Sequence, residues 1–170
     1  MLFRLALRKP DVVLGGERPY MHRWYLTRQH WLLNNIYLHN ILRSDDDRAL
    51  HDHPWWNVSI VLRGGYWEWT RRPDAEERRY IVEMYRLEVL DTDIYQRRWR
   101  GPGSIVFRRA TQAHRLELPA GRTCWSLFIT GRKSREWGFH CPKGWKFWRD
   151  FIDCPTGEPN GAEIGPGCGD

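Results

Sequence analysis

Apolar and polar residues alternate with a period of two along several short stretches of this chain, which predicts β-strands rather than helices. In residues 50–65, Trp55, Asn57, Ser59 and Val61 fall on one side and Trp56, Val58, Ile60 and Leu62 on the other. The second side is wholly apolar and needs cover from a flanking strand, a terminal segment or a second subunit. The same alternation predicts strands at 20–27, 35–42 and 66–70, and apolar runs bounded by Gly or Pro turns predict others at 104–107, 114–118 and 123–130. Residues 71–79, of mixed charge around Pro73, read as an exposed hairpin loop. Residues 137–151 end in a short helix whose Trp148 and Phe151, at i, i+3 spacing, pack on the sheets.

The candidate chemistry sits at the head of the 50–65 run. On an extended strand His51 and His53 point to one face and both reach a single ion, whereas a helix would swing them apart and Pro54 would disturb it. Alone, such a pair is more often an ordinary loop-to-strand feature. A third histidine in a matching setting changes that weighting. After the turn Gly101-Pro102-Gly103, a short apolar strand and a polar turn, His114 opens a strand with Leu116 and Leu118 on its own face and Arg115 and Glu117 on the other.

With these residues the chain resembles the cupin superfamily, which carries one metal between two motifs of a double-stranded β-helix. The first family motif runs His-x-His, three or four residues, Glu, six residues, Gly; His51, His53, Asn57 and Gly64 stand at those positions. The second runs Gly, five residues, Pro-x-Gly, two residues, His; Gly103, Arg109, Thr111 and His114 stand there. Arg109 and Thr111 alter only the turn between strands, whereas Asn57 replaces a ligand of the family. The resemblance covers residues 45–130 and implies an all-β jelly roll with a short N-terminal extension and a short C-terminal helix and tail. It implies one cupin-like domain over 1–153, followed by a tail over 154–170, where five Gly and three Pro leave few apolar anchors.

The resemblance further implies a divalent transition metal on His51, His53 and His114, with Asn57 as a fourth ligand or its neighbour, and a substrate pocket shaped by Trp55, Ser59 and Tyr66. Fe(II) is favoured, with Ni, Zn, Mn and Cu as alternatives, because donor softness does not choose among them. Three neutral imidazoles leave the centre near +2, so the small-molecule substrate is expected to be anionic or chelating. Among three-histidine cupins are thiol and diketone dioxygenases, and the leading expectation is a dioxygenase-type oxidoreductase. A non-catalytic ligand-binding or sensory cupin and a sugar-nucleotide isomerase stay open.

Composition adds bounds. A chain of 170 residues suits one domain, and its charge of +6 favours anionic ligands. Arginines interleave with tryptophans around 97–100, as in a single-strand nucleic-acid groove, but they look scattered, which disfavours that partner. Cys124, Cys141, Cys154 and Cys168 form no Cys-x-x-Cys pair, so a zinc ribbon is not expected and a reduced, cytoplasmic protein is the default. The opening apolar residues are broken by Arg4 and Arg8, and no stretch approaches a membrane span. Asp45-Asp46-Asp47 reads as a solvated turn without EF-hand spacing, His39 as a core histidine bonded to a neighbour, and His140 with Cys141 as packing rather than a second metal site. The apolar rear face makes a homodimer the expected assembly.

Overall fold

The computed structural model describes residues 8–16, 18–27, 35–45, 49–86, 88, 94–152 and 165–169. Within them run strands β1 (Val12–Leu14), β2 (Met21–Tyr25), β3 (Asn35–Ile41), β4 (Leu50–His51), β5 (Asn57–Arg63) and β6 (Tyr66–Arg71), then helix α1 (Ala75–Met84). Strands β7 (Tyr95–Arg100), β8 (Ile105–Arg108), β9 (Arg115–Glu117), β10 (Cys124–Thr130), β11 (Gly138–Cys141) and β12 (Gly144–Phe147) follow, and helix α2 (Trp148–Phe151) closes the series.

One layer is a six-stranded sheet of order β1-β2-β3-β10-β5-β8. The facing layer consists of two three-stranded sheets, β12-β11-β4 and β7-β6-β9. A single bridge, His51 opposite His114, joins these two sheets. Every pairing is antiparallel, and the chain crosses repeatedly between layers, which makes a jelly roll.

Alternation explains how the layers bury. On β5, Asn57, Ser59 and Val61 are buried, while Leu62 is exposed behind them. On β10, Cys124, Ser126 and Thr130 are buried, and Ser126 pairs with His39 of β3. Met21, Ile41, Val61, Tyr66, Leu116 and Cys124 form a core drawn from both layers. A second cluster, Ala49, Phe139, Trp148 and Phe151, packs where α2 meets β11. Gly64 ends β5 with φ 76°, and a Cβ there would lie 2.0 Å from the Thr123 carbonyl oxygen, so this turn requires glycine.

Five features depart from the sequence reading. Residues 75–84, expected to fall in a charged loop and the segment after it, form α1. Glu76 and Glu77 suit the positive end of its dipole, Arg79 pairs with Glu83 one turn on, and Asp74 holds Arg72 and Arg78, so the mixed charges stabilise a helix. Of the arginines and tryptophans that look scattered in the sequence, Arg97 and Trp99 share one face of the β7-β6-β9 sheet with Trp67, Trp69 and Arg115, whereas Arg98 and Arg100 fall on the other face with Glu68. Arg97 lies 4.8 Å from the Trp67 ring and Arg115 5.0 Å from that of Trp69, so these guanidiniums already stack on indoles. Residues 138–147, ahead of α2, form the β11–β12 hairpin.

Cys141 and Cys168, expected reduced, form a disulfide, and only Cys124 is free among the described cysteines. That bond, with Gly167 N–H donating to the Phe151 carbonyl and Lys146 Nζ to that of Gly167, ties residues 165–169 to the second cluster. The acidic turn is also less solvated than expected: Asp45 accepts from the Leu116 N–H at 2.7 Å, while Asp46 and Asp47 lie outside the described residues.

With the linked cysteines 27 positions apart in sequence, removal of the cross-link by Cys168→Ser is expected to lower stability by about 3 kcal/mol, or Tm by roughly 10 °C. Thermal unfolding of the variant should match that of the reduced wild type; equal Tm values for oxidised wild type and variant would refute the contribution.

Candidate metal centre

The bridge between the two small sheets builds the site. His51 N–H donates to the His114 carbonyl and His114 N–H to that of His51, both at 2.9 Å. Residues that exchange both hydrogen bonds across antiparallel strands send their side chains to the same face. His53 lies two residues past His51, and its N–H donates to the Ala110 carbonyl at 3.1 Å, which fixes the third imidazole beside the turn before His114. That turn is held by Arg109 N–H donating to the Gln112 side-chain oxygen at 2.7 Å, where the family pattern has Pro and Gly. The ring centroids of the three histidines are 4.9, 5.1 and 5.2 Å apart, and one ligand nitrogen from each lies within 4.8 Å of the others.

The donor chemistry fits a cation. His53 Nε2 and His114 Nε2 are 2.9 Å apart, so a proton or a metal has to lie between their lone pairs. Two ligands about 2.1 Å from one ion take that spacing when they subtend roughly a right angle. Burial, together with the charge of Arg108, keeps the imidazoles neutral: His51 and His53 fall below the usual value, and His114 is lowered to about 3. Neutral imidazoles are the form that binds metal. Carboxylates face the far side of two rings, with Asp45 Oδ2 3.7 Å from His51 Nδ1 and Glu68 Oε1 3.4 Å from His114 Nδ1. The second contact orients charge but lacks hydrogen-bond geometry, so His114 Nδ1 has no hydrogen-bond partner.

Asn57 is fully buried and is not among the residues that line the cavity. Its side-chain oxygen accepts from Arg108 Nη1 at 3.2 Å, while its amide nitrogen has no partner. Arg108 also donates from Nε to Glu68 Oε1 at 2.6 Å, and Arg100 from Nε to Glu68 Oε2 at 2.7 Å. Burial opposes ionisation of Glu68, but the contact with His114 and the charges of Arg108 and Arg100 outweigh it and hold the carboxyl well below its usual range. The negative charge that the family places at position 57 thus enters from β6, behind His114.

The three histidines open into a cavity of about 690 Å³, in the size range of small-molecule sites. Trp55, Ser59 and Tyr66 line it, as do His39, Phe128 and Arg23. Two six-stranded antiparallel layers, with both histidine motifs meeting where the second layer is stitched together, decide the fold. The chain is a cupin-type jelly roll. No protein-family model and no curated protein matches its sequence.

Solved cupin structures resemble the barrel at low identity. Hydroxypropylphosphonic acid epoxidase from S. wedmorenis aligns at 12% identity and TM-score 0.47 over 73% of this chain and 58% of its own. A cupin-2 domain from Rhodospirillum rubrum aligns at 12% and 0.48 over 75% of each chain. The DMSP lyase DddQ from Ruegeria pomeroyi aligns at 16% and 0.49 over 79% of this chain and 59% of its own. This chain therefore spans less than two thirds of the epoxidase and of the lyase.

Elsewhere in this cupin barrel, His140 Nε2 lies 3.2 Å from Asp52 Oδ2, and Cys141 is in the disulfide, so neither joins the cluster. Asp52 points away from the cluster and also takes Arg135, Trp145 Nε1 and the Gly138 N–H, which anchors β4 to β11. Sequence reasoning missed Glu68 and Arg108. The signal was present for both: period two puts Glu68 on the face of Tyr66, and Arg108 on that of Val106.

Two outcomes follow from these charges. Glu68→Gln leaves Arg108 and Arg100 without their buried counterion, so it is expected to destabilise the protein by about 3–5 kcal/mol and weaken divalent-metal affinity roughly 10–100-fold. Urea unfolding and competition with a chromophoric chelator measure both; unchanged affinity would remove Glu68 from the site. For pH, a histidine whose folded value is depressed takes up its proton first in the unfolded chain. Metal-free protein should hold its Tm above the ordinary imidazole value of 6.5 and lose stability as pH falls toward the His114 value of about 3. A Tm that rises on acidification through that window would contradict the neutral assignment.

Proposed function

We propose that this protein is a metal-dependent cupin enzyme of the dioxygenase type, acting on a small anionic molecule. The observation that carries the reading is the convergence of three neutral imidazoles, with no carboxylate among the donors, on a cavity of ligand size. His51, His53 and His114 would hold the ion. Three imidazole nitrogens suit Fe(II), Mn(II), Ni(II), Cu(II) or Zn(II), and Fe(II) is the ion that the proposed reaction class calls for. When bound, Fe(II) supplies the electrons and Lewis acidity that dioxygen chemistry needs.

The chain's own groups do the rest. Glu68 sets the orientation of His114 and holds Arg108 in place; Asp45 faces the outer nitrogen of His51. Trp55 and Phe128 exclude water around the reacting molecule, and the Tyr66 hydroxyl, 3.5 Å from Ser59 Oγ, offers a proton donor at the wall. The exposed Trp56, Leu62, Ile105 and Phe107 give the outer sheet face the apolar character of a homodimer surface.

A metal-independent isomerase has one observation behind it, the His51–Asp45 pair beside a cavity also lined by Arg18, Arg23 and Arg43. Two further imidazoles packed against His51 make its protonation unfavourable and speak for the metal.

Elemental analysis of protein purified without added metal is expected to find one divalent ion per chain in the wild type and almost none in His51→Ala or His114→Ala. Anaerobic reconstitution with Fe(II), followed by oxygen-uptake assays on thiol and diketone panels, tests the reaction class. Bound metal without oxygen uptake on either panel would sink the dioxygenase step, and full metal in either variant would sink the site.

A further inference from the structure

Among the described residues, no carboxylate pairs with Arg23, a guanidinium that lines the cavity. Strand β2 places it on the inner face opposite His39 of β3, and its Nε donates to His39 Nε2 at 2.9 Å. Its guanidinium carbon lies 4.8 Å from the Tyr37 ring centre. His39 is stacked between Tyr37 and Phe128, at 5.6 and 5.0 Å, and Phe128 in turn meets the ring of His53 at 6.2 Å. One aromatic wall therefore runs from Arg23 to the histidine cluster.

Arg23 is half-buried, whereas Arg108, the fully buried arginine of this cavity, is neutralised by Glu68. The groups facing Arg23 are His39 and the phenols of Tyr20, Tyr25 and Tyr37, and no carboxylate among the described residues pairs with it. Burial consequently works against its charge. Removing a cation from water without a counterion is costly, and His39 would accept as well from a neutral donor at that position. A planar fork held through Nε and braced on a ring is what bidentate recognition of an oxyanion requires.

We propose that Arg23 anchors a carboxylate-type oxyanion of the ligand, so that the cavity takes a small molecule bearing that anion at one end and a metal-binding donor at the other. The assignment rests on the metal reading above, while His39 acts as a positioning residue that holds the fork.

The test uses Co(II)-loaded full-length protein titrated with acetohydroxamate, which chelates but carries no anion, and with monohydroxamates of malonic, succinic and glutaric acid. The cobalt visible spectrum reports each Kd. Wild type should bind at least one carboxylate-bearing chelator about tenfold or more tighter than acetohydroxamate, a difference of about 1.4 kcal/mol. Arg23→Gln should abolish that preference and leave acetohydroxamate binding within about twofold, and Arg23→Lys should keep part of the preference because charge survives while the fork is lost. If Arg23→Gln does not fold, the Lys variant carries the test, and a full preference there overturns the proposal. Absence of any preference in wild type, or its survival in Arg23→Gln, also overturns it. A cobalt spectrum that no hydroxamate perturbs, or no cobalt uptake at all, instead overturns the metal reading and the anchor falls with it.

Discussion

The reciprocal backbone hydrogen bonds between His51 and His114 are the constraint on which the rest depends. Among the described residues they are the one β-bridge between the two halves of the second layer, and they turn residues from distant parts of the chain into a facing pair. Because cross-strand partners share a face, closing the layer and bringing two imidazoles together are one event. Folding of the β12-β11-β4 and β7-β6-β9 sheets onto each other is therefore coupled to assembly of the donor set. Asp52, between His51 and His53 in sequence, supports the same arrangement by collecting Arg135, His140, Trp145 and the Gly138 N–H.

Around that bridge, charge is distributed in a chain rather than concentrated on a ligand. Glu68 sits between Arg100, Arg108 and His114, and Arg108 continues to Asn57. Substituting an amide for a carboxylate at position 57 leaves the ion-facing groups neutral and moves the anion one layer outward. An outer carboxylate strengthens a histidine donor by orienting it without adding charge to the centre. The buried network also explains how the interior holds an arginine beside three imidazoles: Glu68 pairs with its charge, and what remains of that charge disfavours their protonation.

Much of this was legible in the residues and some was not. His51, His53 and His114 stood out because period two puts the first pair on one face, and the third follows a Gly/Pro turn at the head of an apolar strand. The 104–107 run reads as an apolar strand without showing which side faces in; Ile105 and Phe107 are exposed, and their neighbours Val106 and Arg108 are buried. A charged residue at an inward position is hard to accept from sequence because its partner, Glu68, lies forty residues away on another strand. The α1 segment was hidden for a related reason, since its charges are compatible with a solvated loop until the spacing of Arg79 and Glu83 is weighed. Disulfide pairing depends on which ends of the fold meet, and no local pattern encodes that Cys168 returns to β11.

The return of Cys168 changes how the far end of the chain should be regarded. Gly165 borders the ligand cavity beside Phe151 and Ile152, so a stretch rich in glycine and proline contributes part of the chamber wall. Among the described residues, the Cys141–Cys168 bond and the two hydrogen bonds of Gly167 hold it there. The wall at that margin is thus fastened in part by a bond that exists only in the oxidised form.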